Sequence, residues 1–432
     1  MNTPQSTQLS AIAAACAMVL IIGGCGGSDD DDEVAPVTIT VSGPNAVSQW
    51  NEIAAATINQ PAAATGTPEE QRPTYAVDLA TVHLAIYDAV MAIVGTHKPY
   101  AYTPASLSTG ASQEAAVATA AYRTLLGLFP ARSASYQSAY DNYLSALPAG
   151  AAKDQGVAAG AAAAAAILAL RTNDGRAVVL APFVPGTAPG QFRGVNPVNR
   201  YAPYIKPFAV TSLAQFRAPG PLALTSAGYA ADVNETMALG SATSTTRSAA
   251  QTEIARFHTE APPVFWTRNL RNFAMTNRPL AEQARLLALL WVVQADASNT
   301  CFESKYNFLF WRPSSAITLA DTDDNPATTV DAAWTPVVPT PNHPEYPAAH
   351  GCVSGSMMSA LAGYYGTPAV TFTIDSTVTG STHSFTTTQA FVDEIQVARI
   401  AGGMHFRTST VDGAALGKKV AEWVLAHNFQ PR

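Results

Sequence analysis

Charge is what this sequence has least of. Only 13% of its 432 residues are Asp, Glu, Lys or Arg, against 48% that are hydrophobic, and the net charge is −7. With no block of basic residues, nucleic acid is excluded as the main partner, and so is attachment to an anionic membrane by charge. A chain this apolar is not disordered. Alternating, strand-like patterns are also scarce, "VTFTIDSTV" (370–378) being the best. Cations are so few that clustered ones carry information.

Cysteine is nearly absent too, with four in the chain, and one of them ends an apolar N-terminal stretch, "AIAAACAMVLIIGGC", followed by "GGSDDDDE". This is the pattern of an export signal rather than a folded helix, and it is short for a membrane span. Ile22-Gly23-Gly24 before Cys25 resembles a bacterial lipoprotein cleavage box, although "MNTPQSTQLS" lacks the usual positive charge. The expectation is a signal at 1–25, a lipid on Cys25 as the sole membrane attachment, and an acidic tether at 26–43. The protein is then periplasmic or anchored to the outer membrane, or otherwise secreted. Cys301 and Cys352 remain, either as a disulfide permitted by an oxidising compartment or as two buried thiols.

What the sequence has in abundance is helical periodicity. Residues 75–95, 112–129, 151–175, 281–311 and 413–429 carry apolar side chains at three- and four-residue spacing, which predicts an all-α, helical-bundle fold. Between about 176 and 225 the chain is rich in Pro, Gly and Asn. It reads as an ordered excursion between an N-terminal lobe (about 44–175) and a C-terminal lobe (about 226–430) of one domain at 44–432.

Three segments carry chemistry. In "KYNFLFWRP" (305–313), a helix would put Lys305 and Arg312 on one face, about 10.5 Å apart along the axis, with no acidic residue at helical spacing. Such cations need an anion from elsewhere, unless Lys305 snorkels to water and Arg312 finds a distant carboxylate. In "HPEYPAAHGCVSGSMM" (343–358), a Pro-rich turn enters a helix whose free N–H groups, from Ala348 to Gly351, suit an anion, with His350 at the mouth. In "VARIAGGMHFRTST" (397–410), Arg399 and His405 reach one ligand only if the helix breaks at Gly402-Gly403. Together they describe an oxyanion pocket.

Lys-x6-Arg-Pro at 305–313, Pro-x-x-His at 347–350 and Arg-x5-His at 399–405 resemble the signature of the vanadium-dependent haloperoxidase and type 2 phosphatidic acid phosphatase superfamily. "WNEIAAATI" (50–58), "DLATVHLAIYDAV" (78–90), "AAAILALRTNDG" (164–175) and "ADASNTCFESKYNFLFWRP" (295–313) look like its bacterial and plant haloperoxidase-like branch. The resemblance implies two four-helix-bundle lobes and one pocket. In it Lys305, Arg312, Ala349 and Arg399 bind the oxygens of vanadate or phosphate, His405 binds the central atom, and His350 is the acid-base residue.

Two activities follow from the resemblance. A haloperoxidase would hold vanadate as cofactor through His405, with hydrogen peroxide and halide as substrates and Lys305 polarising the bound oxidant. A phosphatase would attack a phosphomonoester with His405 and protonate the leaving alcohol with His350. A third possibility is a phosphate-binding lipoprotein without activity, and oligomerisation stays open.

Departures from the signature bear on the choice. Ala348 stands where the family has Ser. Ser409 stands where phosphatases often have the Asp that orients the histidine, so another acceptor must hold the second nitrogen of His405. His343 falls where algal bromoperoxidases carry a histidine near the halide, or it simply stabilises its turn. Asp296 and Glu303 are candidate outer carboxylates, and His83 and Asp88 read as a buried packing pair.

Overall fold

The computed structural model describes residues 34–432, so the signal, Cys25 and residues 26–33 of the tether lie outside the described residues. Where apolar residues recur at helical spacing the chain is helical. The first half holds α1 (Ala46–Ile58), α2 (Pro68–Gln71), α3 (Tyr75–Val94), α4 (Gln113–Leu128), α5 (Ala134–Ala146) and α6 (Ala151–Arg171). The second half holds α7 (Ala227–Gly240), α8 (Ala249–Phe257), α9 (Pro262–Ala274), α10 (Leu280–Phe308) and α11 (Pro313–Thr318). It ends with α12 (Ala349–Tyr365), α13 (Thr388–Ala401) and α14 (Arg407–His427).

Helix α3 is apolar on all sides because it is wrapped on all sides. Its composition would suit a membrane, yet its most apolar window is 94% buried, against α4, α6 and α10. Gly156 and Gly160 let α6 lie tightly on α4, since a Cβ at either would come within 2.5 Å of a backbone carbonyl, that of Ser112 or Ala116. The 29-residue α10 is shared, packing on α3 at one side and on α12 and α14 at the other. Cys301 of α10 is disulfide-bonded to Cys352 of α12, with Cα atoms 6.3 Å apart. The strand candidate forms β2 (Val370–Ser376), antiparallel to β3 (Ser381–Phe385), while β1 (Val37–Thr38) joins β2 in parallel.

Between α6 and α7 no helix exceeds one turn, yet the segment is pinned. Asp296 accepts the N–H groups of Phe208, Ala209 and Val210 at 2.7–3.1 Å. Buried Arg176 is paired with Asp78 (2.7 Å) and Asp174 (2.9 Å). Asp296 therefore serves the excursion, and Glu303 pairs with Arg217 near the surface. Neither carboxylate bonds to Lys305, Arg312, Arg399 or His405. His83 and Asp88 do not pair with each other either, because both are committed elsewhere. His83 donates from Nε2 to Asn51 Oδ1 at 2.9 Å, and Asp88 accepts the N–H groups of Tyr100, Ala101 and Tyr102.

Candidate active site

Helix α10 stops before it reaches Arg312. Leu309 takes a left-handed conformation (φ 50°, ψ 40°), donates to the Lys305 carbonyl and accepts from Phe192 N–H. Such a conformation costs a side-chain-bearing residue roughly 1–2 kcal/mol. Arg312 is the extended N-cap residue of α11, and Pro313 begins that helix. The expectation of one shared helical face is thus corrected. The two cations converge because the chain turns between them, and both are buried, Lys305 at 0% and Arg312 at 3% exposure.

The turn 343–348 lies against them. Lys305 Nζ donates to the carbonyls of Pro344 and Glu345, each at 2.9 Å, leaving one of its three protons without a described acceptor. Arg312 donates from Nε to the His343 carbonyl (2.8 Å), and from one amino group to the Met404 carbonyl (2.8 Å) and His405 Nε2 (3.0 Å). Its other amino group meets the ring of His343 at 3.0 Å, which puts that histidine in the site rather than only in its turn.

Gly402 and Gly403 do break the helix. α13 ends at Ala401, Gly403 has φ +73°, and a Cβ there would strike the Gly240 carbonyl at 2.7 Å. The chain reverses through Met404 and His405 before α14 starts. Arg399, 1% exposed, has one contact to Met404 Sδ at 2.9 Å, while its buried Nε has no partner, and no described carboxylate pairs with it.

Glu345 is the residue the sequence reading missed. Its Oε1 accepts from His405 Nδ1 at 2.9 Å and from Phe406 N–H at 3.0 Å, and its buried Oε2 is unpartnered. This is the acceptor that the absence of an Asp at position 409 demanded. A signal existed, since Glu345 lies two residues beyond His343 in a segment already singled out. Its neighbours fix the tautomer of His405: Arg312 can only donate, so Nε2 must hold a lone pair and the proton sits on Nδ1.

Charge in the site is unbalanced. Burial pushes Lys305 well below its ordinary value, helped by Arg312 and Arg399, while Glu345 pulls it back. Burial lowers Arg312 to about 10 and Arg399 to about 9, and raises Glu345 to about 7 against the pull of Lys305 and Arg312. His343, His350 and His405 are all driven well down, first by burial and then by the cations around them. The site thus gathers three buried cationic side chains, and histidines held toward their neutral forms, around a single carboxyl, Glu345.

A cavity of about 410 Å³ opens onto this set, and its wall includes His343, Ala349, His350, Arg399 and His405. Lys305 and Arg312 sit behind that wall, bonded to the residues that form it. His350 and Ala349 occupy the first turn of α12, whose N-cap, Ala348, makes no side-chain cap. The N–H of Ala348 is taken by the Ser409 carbonyl, so the free donors of the helix start begin one residue later than expected. Asn199 and Val198, from the excursion, complete the far wall with Phe302 and Trp266.

Residues 285–431 match the family model described as the VCPO second helical-bundle domain. The chain has the fold of solved bacterial vanadium-dependent haloperoxidases. An iodoperoxidase aligns with a TM-score of 0.68 and 21% identity, over 89% of this chain and 95% of that one. An apo-type chloroperoxidase aligns at 0.63 and 14%, over 86% and 96%, and a holo-type chloroperoxidase at 0.61 and 15%, over 90% and 98%. No curated protein sequence matches. The match of residues 285–431 and the shared fold place the three-part signature on the same kind of helical-bundle scaffold as in those haloperoxidases.

Proposed function

We propose that the protein is a vanadium-dependent haloperoxidase that oxidises halide with hydrogen peroxide. The observation that carries this reading is Arg399: a buried guanidinium on the cavity wall, without a carboxylate and with an orphaned Nε, facing the same space as His405. An unpaired buried cation is costly, and a tetrahedral oxyanion removes that cost. The donor set fits vanadate: His405 Nε2 would be the ligand atom once Arg312 turns its N–H from that nitrogen to the anion, and Arg399, Arg312, Lys305 and the first-turn N–H groups of α12 would hold its oxygens.

When bound, vanadate supplies a Lewis acid that activates hydrogen peroxide toward the halide. The protein's part is positional and acid-base. Glu345 holds the His405 proton on Nδ1 and so keeps a lone pair on Nε2, which here accepts from Arg312. His350, neutral at rest, takes a proton from the incoming peroxide. An anion in the site raises Lys305 back toward its charged form, and the apolar wall at Phe302 and Trp266 limits water. His343, within reach of Arg312, stands where it can meet the halide.

The test is reconstitution with orthovanadate. Bromide or iodide oxidation that depends on vanadate and is inhibited by phosphate is expected, and its absence under saturating vanadate rejects the reading. A specific observation favours a second reading, a phosphatase acting through a phosphohistidine: the Glu345–His405 pair supplies the orienting carboxylate that a nucleophilic histidine needs. Vanadate-inhibited hydrolysis of a phosphomonoester without halide oxidation would establish it. Tight phosphate binding with neither activity would leave only a binding lipoprotein.

Export and lipidation of Cys25 are proposed on the sequence pattern, and the Cys301–Cys352 disulfide suits an oxidising compartment. Cys25→Ser should release the protein from the membrane fraction. Whether subunits associate is read from the mass in solution.

A further inference from the structure

A fourth histidine faces the cavity and has no part in holding an anion. His258, at the C-terminal end of α8, lies on the cavity wall and shares a smaller adjoining recess with His350. Its Nε2 is 2.8 Å from Glu394 Oε1, and Nδ1 bonds to no described residue. The same oxygen of Glu394 meets His383 Nδ1 at 2.8 Å, and His383 Nε2 meets Glu253 Oε2 at 3.0 Å. Side-chain exposure rises along this row, from 1% at His258 through 16% at Glu394 and 17% at His383 to 38% at Glu253. Phe257 stacks on His383 at 3.8 Å, and Phe265 and Phe391 close on His258 edge-on, so the row is insulated by rings.

Halide oxidation consumes a proton: X⁻ + H₂O₂ + H⁺ → HOX + H₂O. Arg399 lies on the cavity wall with Arg312 and Lys305 behind it, and their field opposes entry of hydronium. A row of carboxylates and imidazoles leading in from solvent avoids that field.

We propose that Glu253, His383, Glu394 and His258 form a proton path into the cavity, with His258 as the donor at its inner end. This rests on the haloperoxidase reading. Each transfer breaks one N–H or O–H bond and forms one. Glu253 takes a proton from hydronium or a buffer acid at the surface, leaving water or the buffer base, and gives it to His383 Nε2, His383 Nδ1–H passes one to Glu394, and Glu394 passes one to His258. His258 releases its other ring proton to the reacting oxygen, leaving the protein unchanged in charge. Turns of the His258 and His383 rings exchange their nitrogens and reset the row. His350 and Arg399 face His258 from the cavity side, and Glu394 and His383 from behind.

The experiment uses Glu394→Gln, which keeps size and polarity but cannot carry a proton, and His383→Gln, at the more exposed position. In weakly buffered solution each variant should lower kcat roughly tenfold or more with KM unchanged. Acetate, a small proton carrier that does not react with hypohalous acid, should restore the rate. A folded variant with undiminished kcat, or a loss that acetate does not repair, overturns the path. A second measurement needs no turnover: exchange of the His258 ring proton with water, followed by NMR of ¹⁵N-histidine-labelled protein, should slow about tenfold in both variants. Unchanged exchange overturns the path. Slowed exchange in a protein whose wild type oxidises no halide means that the haloperoxidase reading has failed while the path stands.

Discussion

Glu345 Oε1 lies 2.9 Å from His405 Nδ1 and at 3.0 Å takes the N–H of Phe406 as well, so one carboxylate oxygen fixes both the ring and the backbone that carries it. Removing it by Glu345→Ala should leave His405 free to rotate and to change tautomer. The expected result is a 10- to 100-fold rise in the vanadate concentration needed for half-maximal activity. Glu345→Gln, whose amide oxygen still accepts from Nδ1–H, should lose less. Equal losses in the two variants would mean that charge, not orientation, is what Glu345 provides.

Arg399 predicts an inversion between stability and binding. In the empty protein Arg399→Met replaces a buried cation that has no described carboxylate partner by an apolar chain of similar length, and thermal unfolding should shift upward. Phosphate, which should raise the Tm of the wild type by occupying the site, should not raise that of the variant. A variant that is destabilised when empty would show that Arg399 has a partner in solution.

Ala348 caps α12 without a side chain. Ala348→Ser introduces the oxygen that the family's pattern usually has, with two readable effects. The helix gains a cap worth about 1 kcal/mol. If the hydroxyl instead serves the anion, phosphate affinity rises roughly tenfold, the equivalent of one charge-assisted hydrogen bond. Calorimetric titration separates the two.

His83 gives a pH signature remote from the site. Burial lowers its pKa from 6.5 to about 3, so the unfolded chain binds a proton that the folded one does not. Its contribution to stability is complete above pH 6.5 and is lost as pH falls toward 3, by about 1.4 kcal/mol per unit. In His83→Gln that component should be absent, so the wild-type and variant unfolding energies should converge as the solution is acidified through this window. Parallel curves in urea titrations would contradict the assignment.

The Cys301–Cys352 link closes a loop of 51 residues between α10 and α12, two helices that bear the site. Reduction should lower stability by about 4 kcal/mol. Halide oxidation should persist at temperatures where the reduced protein stays folded, because neither sulphur enters the cavity wall.

Much of this molecule was legible in its sequence, for reasons of period and order. Helical spacing is local, so α3, α4, α6 and α10 were expected within a few residues of where they occur. The motif residues were also visible, since scarce cations and histidines stand out in an apolar chain, and Gly402-Gly403 announced the reversal that lets Arg399 and His405 approach. What went unseen depends on contacts far apart in the chain. Nothing local says that Leu309 turns left-handed and takes Arg312 off the helix, because part of what holds that turn is Phe192, over a hundred residues earlier. Glu345 looked like one more charge in a turn until His405, sixty residues later, was placed against it. His258, Glu394 and His383 carry no motif at all. They meet only because α8, β3 and α13 pack on one another, and burial then makes their hydrogen bonds obligatory. Residue types and spacing determined the helices and which cations and histidines stand out; the tertiary structure decided which acceptor orients His405 and which side chains line up behind His258, since both are matters of distance between segments that sequence does not order.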